Sequence, residues 1–320
     1  ICKGVSRVDV ILHIGAHRTA STSFQTYLRQ NHAALAAHGT GFWGPLRLRK
    51  GVFHGVIPDP QLGIAKTAFL RAQGRLALHL ARSGNQGLSQ IIVSDENMLG
   101  LMRRNITSQT LYHDAGERIA RYVAAFGGAV KMIHISIRCQ SSYWPSALSF
   151  CIPRGICVPH AARIQAIATQ PRDWRDVITD AAAAAPGVPI FVSTYEQFGG
   201  RPDALLRYLT DQSAPPRGKQ IWRNQRPTVQ TLMRLPLNAQ DRARLSAGTR
   251  AGRWDPFTHP QRMALQERYA DDLFWLRAGA DGLAHFLEDP KPTKTGYPAQ
   301  LGFVNKGQRY DTRQRLARPG

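Results

Sequence analysis

The sequence predicts an α/β fold: a central parallel β-sheet flanked by helices, with a helical C-terminal part. Three observations predict it. Short apolar runs rich in Val and Ile recur up to about residue 200, as strands buried on both faces require. Stretches with helical spacing lie between them, and that alternation is the pattern of a parallel sheet. Beyond residue 200 the strand signal fades and helical spacing takes over.

Taken in order, the first strand is Val8 to Ile14, an apolar run that ends at Gly15. Ser23 to Ala37 reads as a helix, with Phe24, Tyr27, Leu28 and Leu35 near helical spacing. Thr67 to Arg82 is a second helix and Gln90 to Ser94 a second strand. Gly116 to Phe126 is helical, and Val130 to Ile137 is the third strand. Asp173 to Ala185 is a helix stopped by Pro186-Gly187, and Val188 to Ser193 is the fourth strand. Pro202 to Tyr208, Thr228 to Arg234, Gln240 to Ser246 and Gln261 to Phe286 carry helical spacing. No clean linker interrupts the run, so residues 1–288 are expected to form a single domain. Residues 289–320 are polar, rich in Gly and Pro, and hold seven basic residues against two acidic; a basic tail is expected there.

The chain has 320 residues, 43% of them hydrophobic and 20% charged. That excludes a wholly disordered chain, a coiled coil and a collagen-like fibre, and leaves enough core to fold without disulfides or metal. Lys and Arg number 42 against 21 Asp and Glu, a formal net charge of +21. Of the 42, 34 are Arg. The excess points either to a polyanionic partner or to codon bias in a GC-rich genome. Four cysteines (Cys2, Cys139, Cys151, Cys157) are too few for a disulfide scaffold. Cys139, Cys151, Cys157 and His160 can be drawn as a zinc site, but no Cys-x-x-Cys knuckle is present, so separate thiols and no metal are expected. No apolar run reaches the length of a membrane-spanning helix. The chain begins at Ile1, which leaves room for a trimmed leader or anchor; the cytoplasm is the default compartment.

Ile11 to Ser23 reads ILHIGAHRTASTS. An apolar strand runs into Gly15, and small or hydroxyl residues then open a helix. Free backbone N–H groups at such a helix start point at an anion, and the helix dipole adds to the attraction. Thr19, Ser21 and Thr22 offer hydroxyls and Arg18 a charged fork; an ordinary capped strand-to-helix turn is the alternative. A nucleotide-triphosphatase P-loop has a second Gly and then Lys, where this chain has Ala20 and Ser21. Its lysine mechanism is missing, and the cation sits three residues earlier, at Arg18.

In that register His17-Arg18-Thr19-Ala20-Ser21-Thr22 resembles the 5′-phosphosulfate loop of sulfotransferases that use 3′-phosphoadenosine 5′-phosphosulfate (PAPS), roughly P-K-[ST]-G-[ST]-[ST]. His17 replaces Pro, Arg18 replaces Lys and Ala20 replaces Gly. The resemblance covers about residues 8 to 235 and implies a P-loop-like sulfotransferase fold. It implies that Arg138, after the third strand, and Ser146, eight residues on, hold the 3′-phosphate. It implies that Tyr195, after the fourth strand, neighbours the adenine. Glu96, after the second strand, is the implied base, with Asp95 and His17 in reserve; Asp95 or Glu96 serving only as a helix cap is the alternative. Trp222 to Thr228 matches a loop that closes over the nucleotide, with Arg226, and also Arg223, as cofactor contacts; a solvated basic turn is the alternative.

The implied activity is sulfuryl transfer to a hydroxyl or amine, with Arg18 and the loop stabilising charge. The acceptor, a small molecule or a glycan, is not readable and is acidic if the surplus charge serves it. His38 to Gln61 and Cys151 to Arg172 are expected to be acceptor loops, with Trp43, Phe53 and Trp144 as walls. Two rival classes remain, a P-loop nucleotide kinase or NTPase and a basic nucleic-acid-binding protein, and the Arg18 and Ala20 departures keep open a degenerate sulfotransferase that binds without catalysis. The first lacks its Lys, and the second lacks a reading module or basic clusters interleaved with aromatics.

Overall fold

A computed structural model describes residues 8–58, 65–216 and 224–289. The expected basic tail, apart from Asp289, and Cys2, Trp222 and Arg223 lie outside the described residues. Six strands form one sheet: β1 (Asp9–His13), β2 (Thr40–Trp43), β3 (Gln90–Ser94), β4 (Val130–Ile137), β5 (Ile190–Thr194) and β8 (His285–Leu287). Their order is β2-β3-β1-β4-β5-β8 and every pairing is parallel. β6 (Thr249–Arg250) and β7 (Arg253–Trp254) make a separate antiparallel pair.

The sheet is apolar on both faces because helices cover both. Val10, Leu12, Ile91 and Val93 point into the larger core with Ile119, Trp174 and Ile178. Ile11 and Ile92, one residue out of phase, point into a second core with Phe24, Leu28 and Leu205. Ile91, Ile92 and Val93 have no exposed surface at all, which explains why the sequence reads there as a continuous run rather than an alternation.

The expected strands hold, two of them residue for residue (Gln90–Ser94 and Val130–Ile137). The helices after β1 are two, Ser21–Gln30 and His32–Ala37, rather than one. The Asp173 helix spans Trp174–Ala184 and starts with a capping box between Asp173 and Asp176. The last helix, His259–Arg277, ends nine residues before the expected Phe286; Phe286 lies in edge strand β8, paired with β5. Cys151 to Arg172 contains a helix, Ala161–Thr169, and His38 to Gln61 contains β2. Trp43 and Trp144 are core residues, and Phe53 packs on Tyr122 and Phe126, so the expected acceptor walls are internal packing.

Strand order places the functional end. The connection leaving β1 runs toward β2 and β3, and the one leaving β4 runs toward β5. Their carboxyl ends therefore flank a topological switch point, where open parallel sheets bind ligands. Among the described residues no helix is long and apolar enough to cross a membrane, and no group of three or more His, Cys, Asp or Glu could hold a metal.

Candidate functional site

The loop from Ile14 to Ala20 joins β1 to the Ser21–Gln30 helix at this switch point. Its start is pinned to β4: Ile14 N–H donates to the His134 carbonyl (2.9 Å) and Ala16 N–H to that of Ser136 (2.8 Å). Gly15 passes β4 so closely that an added Cβ would meet Ser136 Cβ at 3.1 Å. Arg18 and Ala20 are both left-handed, with φ of 67° and 66°. Ala20 thus has the backbone that favours glycine, the residue the family pattern carries there. Thr19 Oγ1 donates to the Ala16 carbonyl (2.6 Å) and closes the turn. No side chain caps the helix start, and the Ala20, Ser21 and Thr22 amides have no hydrogen-bond acceptor among the described residues. A small pocket lies beside them, lined in part by His13, Thr19, Ser21, Phe24 and Tyr195.

Arg138 and Ser146 come from the end of β4 and the Gln140–Cys151 helix. Both lie against Arg18, in an arrangement the sequence does not show. Ser146 Oγ accepts from Arg18 Nε (3.0 Å), not from Arg138. Arg138 Nη1 donates to the Arg18 carbonyl (2.8 Å) and its Nε to Ser142 Oγ (2.8 Å). The Arg138 guanidinium lies 4.3 Å from the centre of the Tyr195 ring, and that of Arg18 lies 4.6 Å from the Phe150 ring. The Arg138 backbone is itself held. Trp174 Nε1 donates to its carbonyl (2.8 Å), and the next amide, Cys139 N–H, donates to Glu196 (3.1 Å), whose other oxygen accepts from Tyr269 (2.9 Å).

Arg226 joins them from the C-terminal part. It donates to the Trp254 carbonyl, and its buried Nε has no partner. Asn224 of the same loop donates to Thr22 Oγ1 (3.3 Å), so this loop does reach the helix start. Burial, and then the charge of Arg138, pulls the Arg18 guanidinium down to about 10. Burial pulls Arg226 down to about 10 as well; Asp255 opposes the fall, and Arg138, Arg253 and Arg18 add to it. None of Arg18, Arg138 and Arg226 is ion-paired to a carboxylate among the described residues. Three mutually repelling cations beside amides with no acceptor among the described residues have the donor chemistry that an anion requires.

Glu96 follows β3, the neighbour of β1, in a short turn capped by Asp95, which accepts from Asn97 N–H (2.9 Å). The cap is Asp95, so one of the two acids takes the structural role. Arg49 grips Asp95 through Nε (2.9 Å) and Nη2 (2.5 Å) and reaches Glu96 at 3.3 Å. Gln25 donates to the other Glu96 oxygen (3.1 Å). Burial raises the Glu96 carboxyl, but His17, Arg49 and the donated hydrogen bonds outweigh it and leave it below its usual value, ionised at neutral pH. His17 lies between this turn and Arg18 with both ring nitrogens engaged, by Tyr112 and Asn97.

Sequence reasoning missed Gln25, Arg49, Phe150 and Tyr112. None belongs to a motif; each arrives from a separate element. It also missed the pair His13 and His134, stacked 5.2 Å apart beneath the pocket. No protein-family model matches the chain, and neither a curated protein nor a solved structure matches it.

Proposed function

We propose that this chain is a sulfotransferase that takes a sulfuryl group from PAPS and gives it to a hydroxyl or amine. One observation carries the reading. Among the described residues, Arg18, Arg138 and Arg226 gather with no ion-paired carboxylate beside the open amides of Ala20, Ser21 and Thr22, and the buried Arg226 Nε has no partner. A nucleotide with phosphates at two positions fits that donor set. Arg138, with Ser142 and Ser146 nearby, would hold the 3′-phosphate. The loop amides and Thr19, Ser21 and Thr22 would hold the 5′ side, and Tyr195 would flank the base. Arg226 would close the site from the loop that touches Thr22.

Bound PAPS supplies the activated sulfuryl group. The chain's own residues supply position, charge and a proton acceptor. Arg18 and the helix start offset negative charge as it builds on the departing phosphate oxygen. Glu96, ionised and 3.1 Å from Gln25, takes the proton that the acceptor loses. His17 is unsuited to that task because both ring nitrogens are spoken for. We place the reaction in the cytoplasm, where free thiols such as those of Cys139, Cys151 and Cys157 persist.

A second reading, nucleotide binding without turnover, is favoured by one observation: Arg18 gives its Nε to Ser146 and its face to Phe150. Calorimetry with adenosine 3′,5′-bisphosphate and with ATP–magnesium tests the common part. The proposal expects the first to bind at least tenfold more tightly; equal or reversed affinity refutes it. Release of adenosine 3′,5′-bisphosphate from PAPS in the presence of an acceptor panel then separates catalysis from binding alone.

A further inference from the structure

The anion loop lacks the two residues that would stiffen it cheaply. His17 and Arg18 are the central residues of the Ala16–Thr19 turn, and Arg18 is left-handed. Such a turn favours Pro at the first central position and Gly at the second. Pro fixes φ and carries no N–H. His17 does neither, so its amide needs an acceptor.

Tyr112 provides it. Its hydroxyl accepts from His17 N–H (2.8 Å) and lies 2.9 Å from His17 Nδ1, with the two rings nearly parallel. Tyr143 donates to the same hydroxyl (3.3 Å) and accepts from Asn105 (2.9 Å). With the Tyr112 oxygen accepting two hydrogen bonds, its own proton goes to His17 Nδ1. His17 Nε2 then bears the ring hydrogen and donates to Asn97 Oδ1 (3.1 Å). Asn97 is the residue after Glu96. One buried chain therefore ties the residue before Arg18 to the residue after Glu96.

Tyr112 is held in a costly conformation to do this. Its φ is 40°, an outlier for a bulky side chain. Its N–H donates to Asn105 Oδ1 (3.1 Å), and Arg172 donates to its carbonyl (3.2 Å) and to that of Leu111 (2.6 Å). Neither Tyr112 nor Tyr143 has any exposed surface.

We infer that Tyr112 is a positioning residue whose hydroxyl replaces the missing proline. It fixes the anion loop through His17 and registers that loop against the turn that carries Glu96. The link to Glu96 rests on the proposed function; the lock on the loop stands without it.

The test begins on the unliganded protein. In Tyr112→Phe the His17 Nδ1 nitrogen resonance should move, and the hydrogen-bonded loop amides of Ala16 and Ser23 should exchange about tenfold faster. Tyr143→Phe loses a hydroxyl of the same buried cluster but leaves both Tyr112–His17 contacts in place, so it should keep exchange within threefold of wild type. Adenosine 3′,5′-bisphosphate affinity should follow the same order: about tenfold weaker in Tyr112→Phe and within threefold of wild type in Tyr143→Phe. Unchanged loop exchange in Tyr112→Phe overturns the inference. So does a Tyr143→Phe loop as loose as that of Tyr112→Phe; if Tyr112→Phe does not fold, His17→Ala, which loses the ring contacts with Tyr112 and Asn97, should loosen the same amides, and unchanged exchange there overturns the inference as well. Loop exchange that follows the expected order in a protein that fails to bind the bisphosphate leaves the lock standing and removes the nucleotide reading.

Discussion

Replacing Arg138 by alanine separates binding from stability, because the two effects differ in size for reasons visible in the structure. A phosphate dianion on Arg138 would take two charge-assisted hydrogen bonds, each worth about 1.5–3 kcal/mol. Their loss, partly made up by Arg18 and Arg226, leaves about 3 kcal/mol, or about a hundredfold in affinity. The unliganded protein responds differently. Arg138 depresses the guanidinium pKa of both Arg18 and Arg226, so removing it relieves repulsion of about 1–2 kcal/mol in an intermediate dielectric. Against that stands the loss of its bonds to Ser142 Oγ and the Arg18 carbonyl, each worth about 1 kcal/mol. Net stability should move by less than about 1 kcal/mol. Calorimetric titration with adenosine 3′,5′-bisphosphate at two salt concentrations, beside urea denaturation, reads both quantities. An affinity within threefold of wild type refutes the assignment of Arg138 to an anion. A large stability loss accompanied by an equal affinity loss would make Arg138 a packing residue.

Three further outcomes follow from the same geometry. Glu96→Gln should lower turnover by at least a hundredfold with bisphosphate affinity within threefold of wild type; because Glu96 is held below its usual carboxyl value, wild-type turnover should stay level through neutral pH and fall only as pH drops through that lowered value. His13 is buried and pulled down to about 4, so the folded state refuses a proton the unfolded chain accepts below 6.5; its share of stability should be full above 6.5 and decline by roughly 3 kcal/mol as pH falls toward 4, and in denaturation measured across pH His13→Phe should make the decline shallower by that share while buried His134 and His17, also pulled down, keep the rest. At Ala20, glycine should be tolerated within about 0.5 kcal/mol, since relief of left-handed strain offsets added unfolded-state freedom, while valine should cost about 2 kcal/mol in the same assay.

How much of this could be read in advance follows from the range over which each interaction acts. The strand Val130–Ile137 and the helix Trp174–Ala184 are legible because burial on both faces and a local capping box write themselves into neighbouring residues. β2 and β8 were not legible, since four and three residues form strands only because β3 and β5 offer an open edge. The loop from Ile14 to Ala20 is legible as a strand, a glycine and a run of hydroxyls. Its partners are not. Ser146 stands eight residues after Arg138, but tertiary packing gives its hydroxyl to Arg18, 128 positions away. Trp43 and Trp144 have the chemistry of pocket walls and the location of core residues, a distinction that only solvent exposure makes.

Local periodicity and composition encode the parallel sheet, the strand–glycine–hydroxyl run that opens its first loop, and the surplus of arginine. Tertiary structure alone brings Arg18, Arg138 and Arg226 together with no carboxylate ion-paired to them among the described residues, gives the capping role to Asp95 and not Glu96, and sets Tyr112 on His17. Those outcomes depend on charges and hydroxyls brought together across the strand order β3-β1-β4. Solvation and hydrogen-bond satisfaction act on that assembled neighbourhood, which no single stretch of chain contains.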